Sequence, residues 1–406
     1  MKRSEVAEYE FFCGIDVGKA KHYAVVLDRD GDDPLMRGPV VQDEAELRAL
    51  FGEVKSMGRA LVVVDQFGSF GRLAVEVARD EGLDVAHIPP RKFKQVAETY
   101  GEDKSDAKDA FIIADTARSQ PRNIDPVPQR GEAAAELKAL SVARDVAVRE
   151  RTRLYNRVHD MIGQVCPALE QVFTKKKLHN DLEIRLVAKY GGPAGFRKAG
   201  HARASKWAAS LKYHKTSGPA KVDEVFEAMG RQSVGMPATE VVEAQIRKYA
   251  ERVIELEAEE DELNAEIARL APLLPEVAIL KSVSGIGDVY AAVIAVEIGD
   301  ISRFPDASHL ASYGGVAPVR ETSGTSVSKK KKRKGGNRRL KNALIQSAQR
   351  AIDCDEGARA YYDRKRGEDG KGHRQALRAL ARRRVDLIYA LLSNGTFYEP
   401  LHGTAS

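Results

Sequence analysis

Four carboxylates stand where acids are costly unless they have work to do. Asp16 ends the apolar run Phe11-Phe12-Cys13-Gly14-Ile15, and Asp65 ends a run of small and branched residues, Ala60 to Val64. Asp106 and Asp109 follow in Ser105-Asp106-Ala107-Lys108-Asp109-Ala110, three apart in a helical context, so both project from one helix face. An unpaired buried carboxylate needs a partner, and a bound cation is the simplest one. Oxygen donors with no His or Cys nearby suit Mg²⁺ or Mn²⁺, and two such ions can clamp a phosphodiester. The bland alternative is that Asp16 merely ends a strand and that Asp106 and Asp109 form a solvated helix face. For the helix pair alone that alternative is favoured; for the four acids in this order, the metal site is.

The elements that must position these acids read β-β-β-α-β-α-β-α over residues 11 to 119. A second strand, His22-Tyr23-Ala24-Val25-Val26-Leu27-Asp28, follows the first at once, and a weaker third is expected from residue 36 to 42. Helices are expected near 44–54 and 70–79, with a strand over 84–88. Strands paired locally and then alternating with helices predict a mixed sheet with helices on its faces. The pattern matches the ribonuclease H fold. In that architecture the first strand, the fourth strand and the last helix converge, which would gather Asp16, Asp65, Asp106 and Asp109.

The chain has 406 residues, enough for two or three domains. Its hydrophobic content of 43% is ordinary for a globular protein. Cys13, Cys166 and Cys354 lie far apart, which supports neither a disulfide framework nor a zinc knuckle and fits a reducing cytosol. The charged start Met1-Lys2-Arg3-Ser4-Glu5 reads without a signal peptide, and no apolar run approaches a membrane span. A cytoplasmic protein, nucleoid-associated when acting, is expected. Net charge is +6, but its location matters more: from Lys329 to Lys341, nine of thirteen residues are Lys or Arg and none is acidic. A regular helical stretch follows this block, which favours a phosphate-binding element beside folded structure over a disordered tail.

Between these regions a long helix is expected from 131 to 165, with a basic character from Arg144, Arg149, Arg151, Arg153 and Arg157. A solvated face is favoured slightly over direct DNA contact. Residues 166 to 238 hold several short helices, and His201, Arg203, Lys206, Lys212, Tyr213, His214 and Lys215 interleave cations with aromatics, a composition suited to nucleic acid. Trp207 reads as core. From Val242 to Leu270 a heptad seam of Val242, Ile246, Tyr249, Val253, Leu256, Leu263, Ile267 and Leu270 is interrupted only by Glu260, which predicts a coiled coil. Self-association as a dimer or tetramer and a hairpin with the 131–165 helix are equal alternatives. Ser282-Val283-Ser284-Gly285-Ile286-Gly287 then opens a helix, resembling the loop of helix-hairpin-helix modules that offers backbone N–H groups to phosphate.

These motifs together resemble the insertion-sequence-110 family of DEDD transposases, relatives of the Piv pilin-gene invertase, over nearly the whole chain. The N-terminal half carries Gly14-Ile15-Asp16-Val17-Gly18-Lys19 and Lys104-Ser105-Asp106-Ala107-Lys108-Asp109-Ala110 of the family's RuvC-like domain. The C-terminal half carries Gly285-Ile286-Gly287, Tyr313-Gly314-Gly315-Val316-Ala317-Pro318, Ser323-Gly324 and Gly336-Asn337-Arg338-Arg339-Leu340. The resemblance implies a recombinase that cuts and rejoins donor and target DNA, with Ser323 as nucleophile and Asp16, Asp65, Asp106 and Asp109 as catalytic metal ligands for Mg²⁺ or Mn²⁺. Some members are directed by an element-encoded noncoding guide RNA, a bridge RNA. One departure is that the second acid of the tetrad is usually Glu, whereas here it is Asp65, followed by Gln66.

The expected fold class is therefore α/β plus α. A RuvC-like mixed sheet occupies 8–125, a helical linker region with nucleic-acid contacts 130–238, a coiled coil 239–271, and a mostly helical transposase domain 272–398. Arg320, Lys329, Lys330, Lys331, Lys332, Arg333, Lys334, Arg338 and Arg339 are the expected phosphate contacts. A serine hydroxyl needs its proton removed and the phosphorane charge stabilised; the metal would sit close to the scissile phosphate and these cations would neutralise it. The main rival is a RuvC-like Holliday junction resolvase in which the carboxylates activate water and no protein nucleophile exists. An actin-like ATPase would need a second glycine-rich phosphate loop, and none lies between Leu61 and Asp115. A nonenzymatic basic protein would leave the buried acids unexplained.

Overall fold

The structure is a computed structural model that describes residues 1, 3–31, 33–101, 105–127, 131–173, 181–318 and 335–399. The chain divides into two compact units, residues 1–129 and 130–406.

The first unit is built on a six-stranded sheet. Its strands are β1 (Phe11–Asp16), β2 (Lys21–Leu27), β3 (Met36–Val41), β4 (Ala60–Val64), β5 (Asp84–His87) and β6 (Asp125–Pro126), in the order β3-β2-β1-β4-β5-β6. β1 pairs antiparallel with β2 and parallel with β4, and β5 runs parallel to β4. The first five strands thus take the order and directions of the ribonuclease H fold. The short β6, antiparallel to β5, and a Pro90–Ala97 helix are additions that the residue pattern did not announce.

Strand periodicity divides β1 between two cores. Cys13 and Ile15 pack with Leu47, Phe51, Ala74 and Ala78 from the Glu44–Met57 and Arg72–Asp80 helices. Phe12 faces the other way, with Leu61, Val63, Ile113 and Ala117. On that second side the Asp106–Ser119 helix lies directly on the sheet, because Gly14 has no side chain. A Cβ there would stand 2.4 Å from both Ala110 O and Ala114 N.

The second unit is helical. The Glu132–Val165 and Thr239–Leu270 helices pack along each other, and Ile246, Val253, Leu256, Ile267 and Leu270 of the heptad seam are buried. The pairing with the 131–165 helix, one of the two alternatives for the seam, is formed within the chain. Glu260, the single interruption, is buried and faces two cations of the opposite helix: Arg144 Nη2 at 2.6 Å and Arg151 Nη1 at 2.9 Å. Two hydrophobic cores sit along this pair. One gathers residues 155 to 253, with Trp207 packed at its edge; the other runs from Leu137 and Ile267 through the C-terminal helices to Leu392. All three cysteines are free, and no described helix is long and apolar enough to cross a membrane.

Candidate active site

The sheet register brings two of the four acids side by side. Ile15 is paired with Val64 in parallel, so Asp16 and Asp65 follow at the same sheet end. Alternation puts Asp16 on the face of Phe12 and Gly14, and Asp65 on that of Leu61 and Val63. Both therefore belong to the side covered by the Asp106–Ser119 helix. Asp65 Oδ1 accepts the Val17 backbone N–H at 3.0 Å, and Gln66 Nε2 reaches Asp65 Oδ2 at 3.5 Å. Burial pushes the Asp65 carboxyl above its ordinary value, against the lowering effect of these hydrogen bonds.

The helix contributes the other two acids in its first turn, where the exposed N–H groups favour negative charge. Ser105 caps it, its hydroxyl accepting from Lys108 N at 3.2 Å. The pair differs in environment: Asp109 is buried, whereas Asp106 is exposed. Packing fixes the direction of the helix. Its later residues Ile113 and Ala117 share a core with Phe12 at the start of β1, while Phe111 packs near Tyr23, the β2 partner of Asp16. The first turn thus lies toward the Asp16 end.

These donors are all oxygens and share one end and one side of the sheet, which fits a hard divalent cation. They are not gathered into a ready cage. Among the described residues no group of three or more His, Cys, Asp or Glu side chains is arranged to hold a metal.

His22 was missed by the motif reading. It is 2% exposed in β2, with Nδ1 accepting from Gly18 N at 3.3 Å and Nε2 bonded to Gln42 Oε1. Gln42 Nε2 in turn donates to Phe70 O at 2.5 Å. Burial lowers the pKa of His22, outweighing the raising influence of Gln42 and Asp65. The neutral ring braces the turn after Asp16 against the loop after Asp65. The available signal was a polar residue on a buried strand.

In the second unit, Arg338 is exposed at the start of the Arg338–Cys354 helix, whereas Arg339 Nε is bound to the buried Glu297 at 2.5 Å. Arg339 therefore has a partner already. Gly285 takes φ +82°, and a Cβ there would lie 2.6 Å from Ala351 N, so its place is set by helix packing; Gly287 is open. Ser323, Arg320 and the cations from Lys329 to Lys334, Arg333 included, lie outside the described residues.

Comparison with known proteins decides the family. Residues 13–167 match the DEDD transposase family model of IS110 elements, and residues 277–363 match the one described as the IS116/IS110/IS902 transposase family. The "Insertion element IS110 uncharacterized 43.6 kDa protein" of Streptomyces coelicolor is 38% identical over 96% of this chain and 95% of its own length. The chain belongs to the IS110 transposase family. It is also similar to the IS116 protein of Streptomyces clavuligerus, 32% identical over 95% of this chain and 96% of that one. The pilin gene-inverting protein of Moraxella bovis is 30% identical over 35% of this chain and 46% of its own. A T. thermophilus RuvC structure in complex with Holliday junction substrate covers 29% of this chain and 100% of that one at 19% identity, with a TM-score of 0.24, too low to carry weight. As an IS110-family transposase the protein is an enzyme of DNA breakage and rejoining. The first matched region contains all four acids, and the second spans the Gly285 loop, Ser323 and Arg339.

Proposed function

We propose that this transposase exchanges DNA strands through a phosphoserine intermediate on Ser323, with Asp16, Asp65, Asp106 and Asp109 holding Mg²⁺ or Mn²⁺. The observation that carries the metal half is the convergence of Asp16, Asp65 and the acidic first turn at one end of the sheet. When bound, the cation supplies charge neutralisation at a phosphodiester. The half-buried Asp65 is suited to hold it, since ionisation there is disfavoured until a cation arrives. The serine half rests on the family motif at Ser323-Gly324.

In the proposed step the Ser323 Oγ–H bond breaks and an Oγ–P bond forms, while the bond from phosphorus to one deoxyribose oxygen is lost. The proton lost from Oγ passes through solvent to that oxygen, which departs as a hydroxyl. Rejoining is the reverse displacement by a hydroxyl of the other DNA end, so no external energy is needed. Arg320, Lys329 to Lys334 and Arg338 neutralise the phosphates. Arg339 also belongs to this set only if it leaves Glu297.

Donor and target DNA are selected in this reading by a noncoding guide RNA, and the protein works as a dimer or tetramer. With the inner seam of the long helix pair filled, self-association falls to its outer faces. Sequencing nucleic acid that co-purifies with the protein expressed from its own locus tests the guide. One discrete noncoding RNA, enriched over a charge-matched basic control protein, is expected; bulk cellular RNA alone overturns this part. Ser323→Ala tests the chemistry: covalent protein–DNA adducts should vanish while nucleic-acid binding persists. Strand cleavage that survives this change points instead to a water-activating junction resolvase.

A further inference from the structure

Glu297 is an acid within the apolar helix Asp288–Ile298, and it is 1% exposed. The signal is the one that drew attention to Asp16, yet the setting differs. No cation site is needed, because Glu297 is already encircled by donors. Lys138 Nζ from the Glu132–Val165 helix and Arg339 Nε at 2.5 Å share Oε1, and Asn337 Nδ2 donates to Oε2 at 2.5 Å.

Asn337 joins this cluster to the opposite flank of the segment from 319 to 334. Its backbone N–H donates to Tyr313 O at 2.6 Å, and its Nδ2 also reaches the Tyr313 hydroxyl at 3.1 Å. Its Oδ1 caps the Arg338–Cys354 helix at Leu340 N, at 3.1 Å. Beside it two glycine backbones touch: a Cβ on Gly336, at φ +109°, would stand 2.9 Å from Gly315 Cα. Both flanks of the segment that bears Ser323 are thereby held together, and Lys138 ties them to the long helix pair.

We infer that Glu297 is a positioning residue for strand exchange: through Asn337 and Arg339 it fixes the base from which the Ser323 segment departs. This rests on the Ser323 reading above. Misplacing a nucleophile by about 1 Å costs about 100-fold in rate.

The test uses the full chain in cells carrying the insertion sequence with its flanking noncoding DNA. Covalent adducts, retention of that DNA, and hydrogen exchange of the Asn337 amide are measured. Glu297→Gln is expected to lower adduct formation about 100-fold, keep DNA retention at or above the wild-type level, since it loosens Arg339, and speed Asn337 exchange. Glu297→Asp, which keeps the charge, should restore part of the rate. Adducts at the wild-type rate in Glu297→Gln overturn the inference, as does a parallel fall of adducts and DNA retention. Should Glu297→Gln fail to fold, the charge-free set Lys138→Met, Glu297→Leu and Arg339→Leu replaces it. A folded triple variant that forms adducts normally overturns the inference equally. Adducts that survive in Ser323→Ala remove the nucleophile, and with it the role assigned to Glu297, whereas Asn337 exchange reports on the clamp independently.

Discussion

Val17 donates its backbone N–H to the Asp65 carboxylate at 3.0 Å, so the residue after one acid of the pair orients the other. Gln66 Nε2 reaches the other carboxylate oxygen, Oδ2, at 3.5 Å. Asp65 is thus drawn toward β1 by a backbone donor.

Asp65→Asn retains an oxygen for Val17 and removes a charge whose ionisation burial disfavours. In chelator the variant should melt above the wild type at neutral pH. Added Mg²⁺ or Mn²⁺ should raise the wild-type midpoint and leave the variant's nearly unchanged, with cation affinity reduced by about 10–100-fold or more. Thermal melts with and without chelator check this. A cation-dependent shift of equal size in both proteins removes Asp65 from the ligand set.

Gly14 is where the Asp106–Ser119 helix touches the sheet, and the obstructing atoms are backbone. Gly14→Val should destabilise the first unit by about 1–3 kcal/mol or more. It should also displace Asp109 relative to Asp16 and lower strand cleavage beyond what the stability loss explains. Urea unfolding, paired with cleavage measured well below the melting midpoint, separates the two effects.

Glu260 lies in the seam of the long helix pair between Arg144 and Arg151. Arg144 is well bonded, its Nε also reaching Asn264 Oδ1 at 2.6 Å, whereas Arg151 meets Glu260 as a close ion pair without hydrogen-bond alignment. Glu260→Leu should cost about 3–5 kcal/mol, because it strands the buried Arg151 charge. Replacing Arg151 with Met at the same time should recover most of that loss. Denaturant midpoints of the single and double variants check the coupling.

Glu297 supplies a pH dependence. Burial pushes its carboxyl up, but Lys138 and the hydrogen bonds from Arg339, Lys138 and Asn337 outweigh that and hold it below its ordinary value. Its folded pKa is depressed, so its contribution is present above the unfolded value of 4.5 and is lost as pH falls through the folded value. Between neutral pH and that acid range, wild-type stability should drop more than that of Glu297→Gln. Equal acid sensitivity of the two proteins contradicts the ion pair.

Much of the candidate site was legible because strand periodicity is local. An acid ending an apolar run marks a strand terminus, and the β-β-β-α-β order led to the sheet seen here, with Asp16 and Asp65 on adjacent strand ends. The split between Asp106 and Asp109 was not legible. A three-residue step places both on one side of a helix, but the burial of one depends on how closely the helix approaches the sheet, which Gly14 decides from nearly a hundred residues away.

The sequence by itself determined the order of the first five strands, the two long helices, the family resemblance and which residue types can do the chemistry, since these follow from short-range periodicity and from motifs read along the chain. Only the tertiary structure decided that the heptad seam is filled by the Glu132–Val165 helix, that Glu260 answers Arg144 and Arg151, and that Arg339 belongs to Glu297. The physical reason is that an apolar stripe or a buried charge states what kind of partner it requires. Which of several suitable partners meets it is settled when distant segments pack.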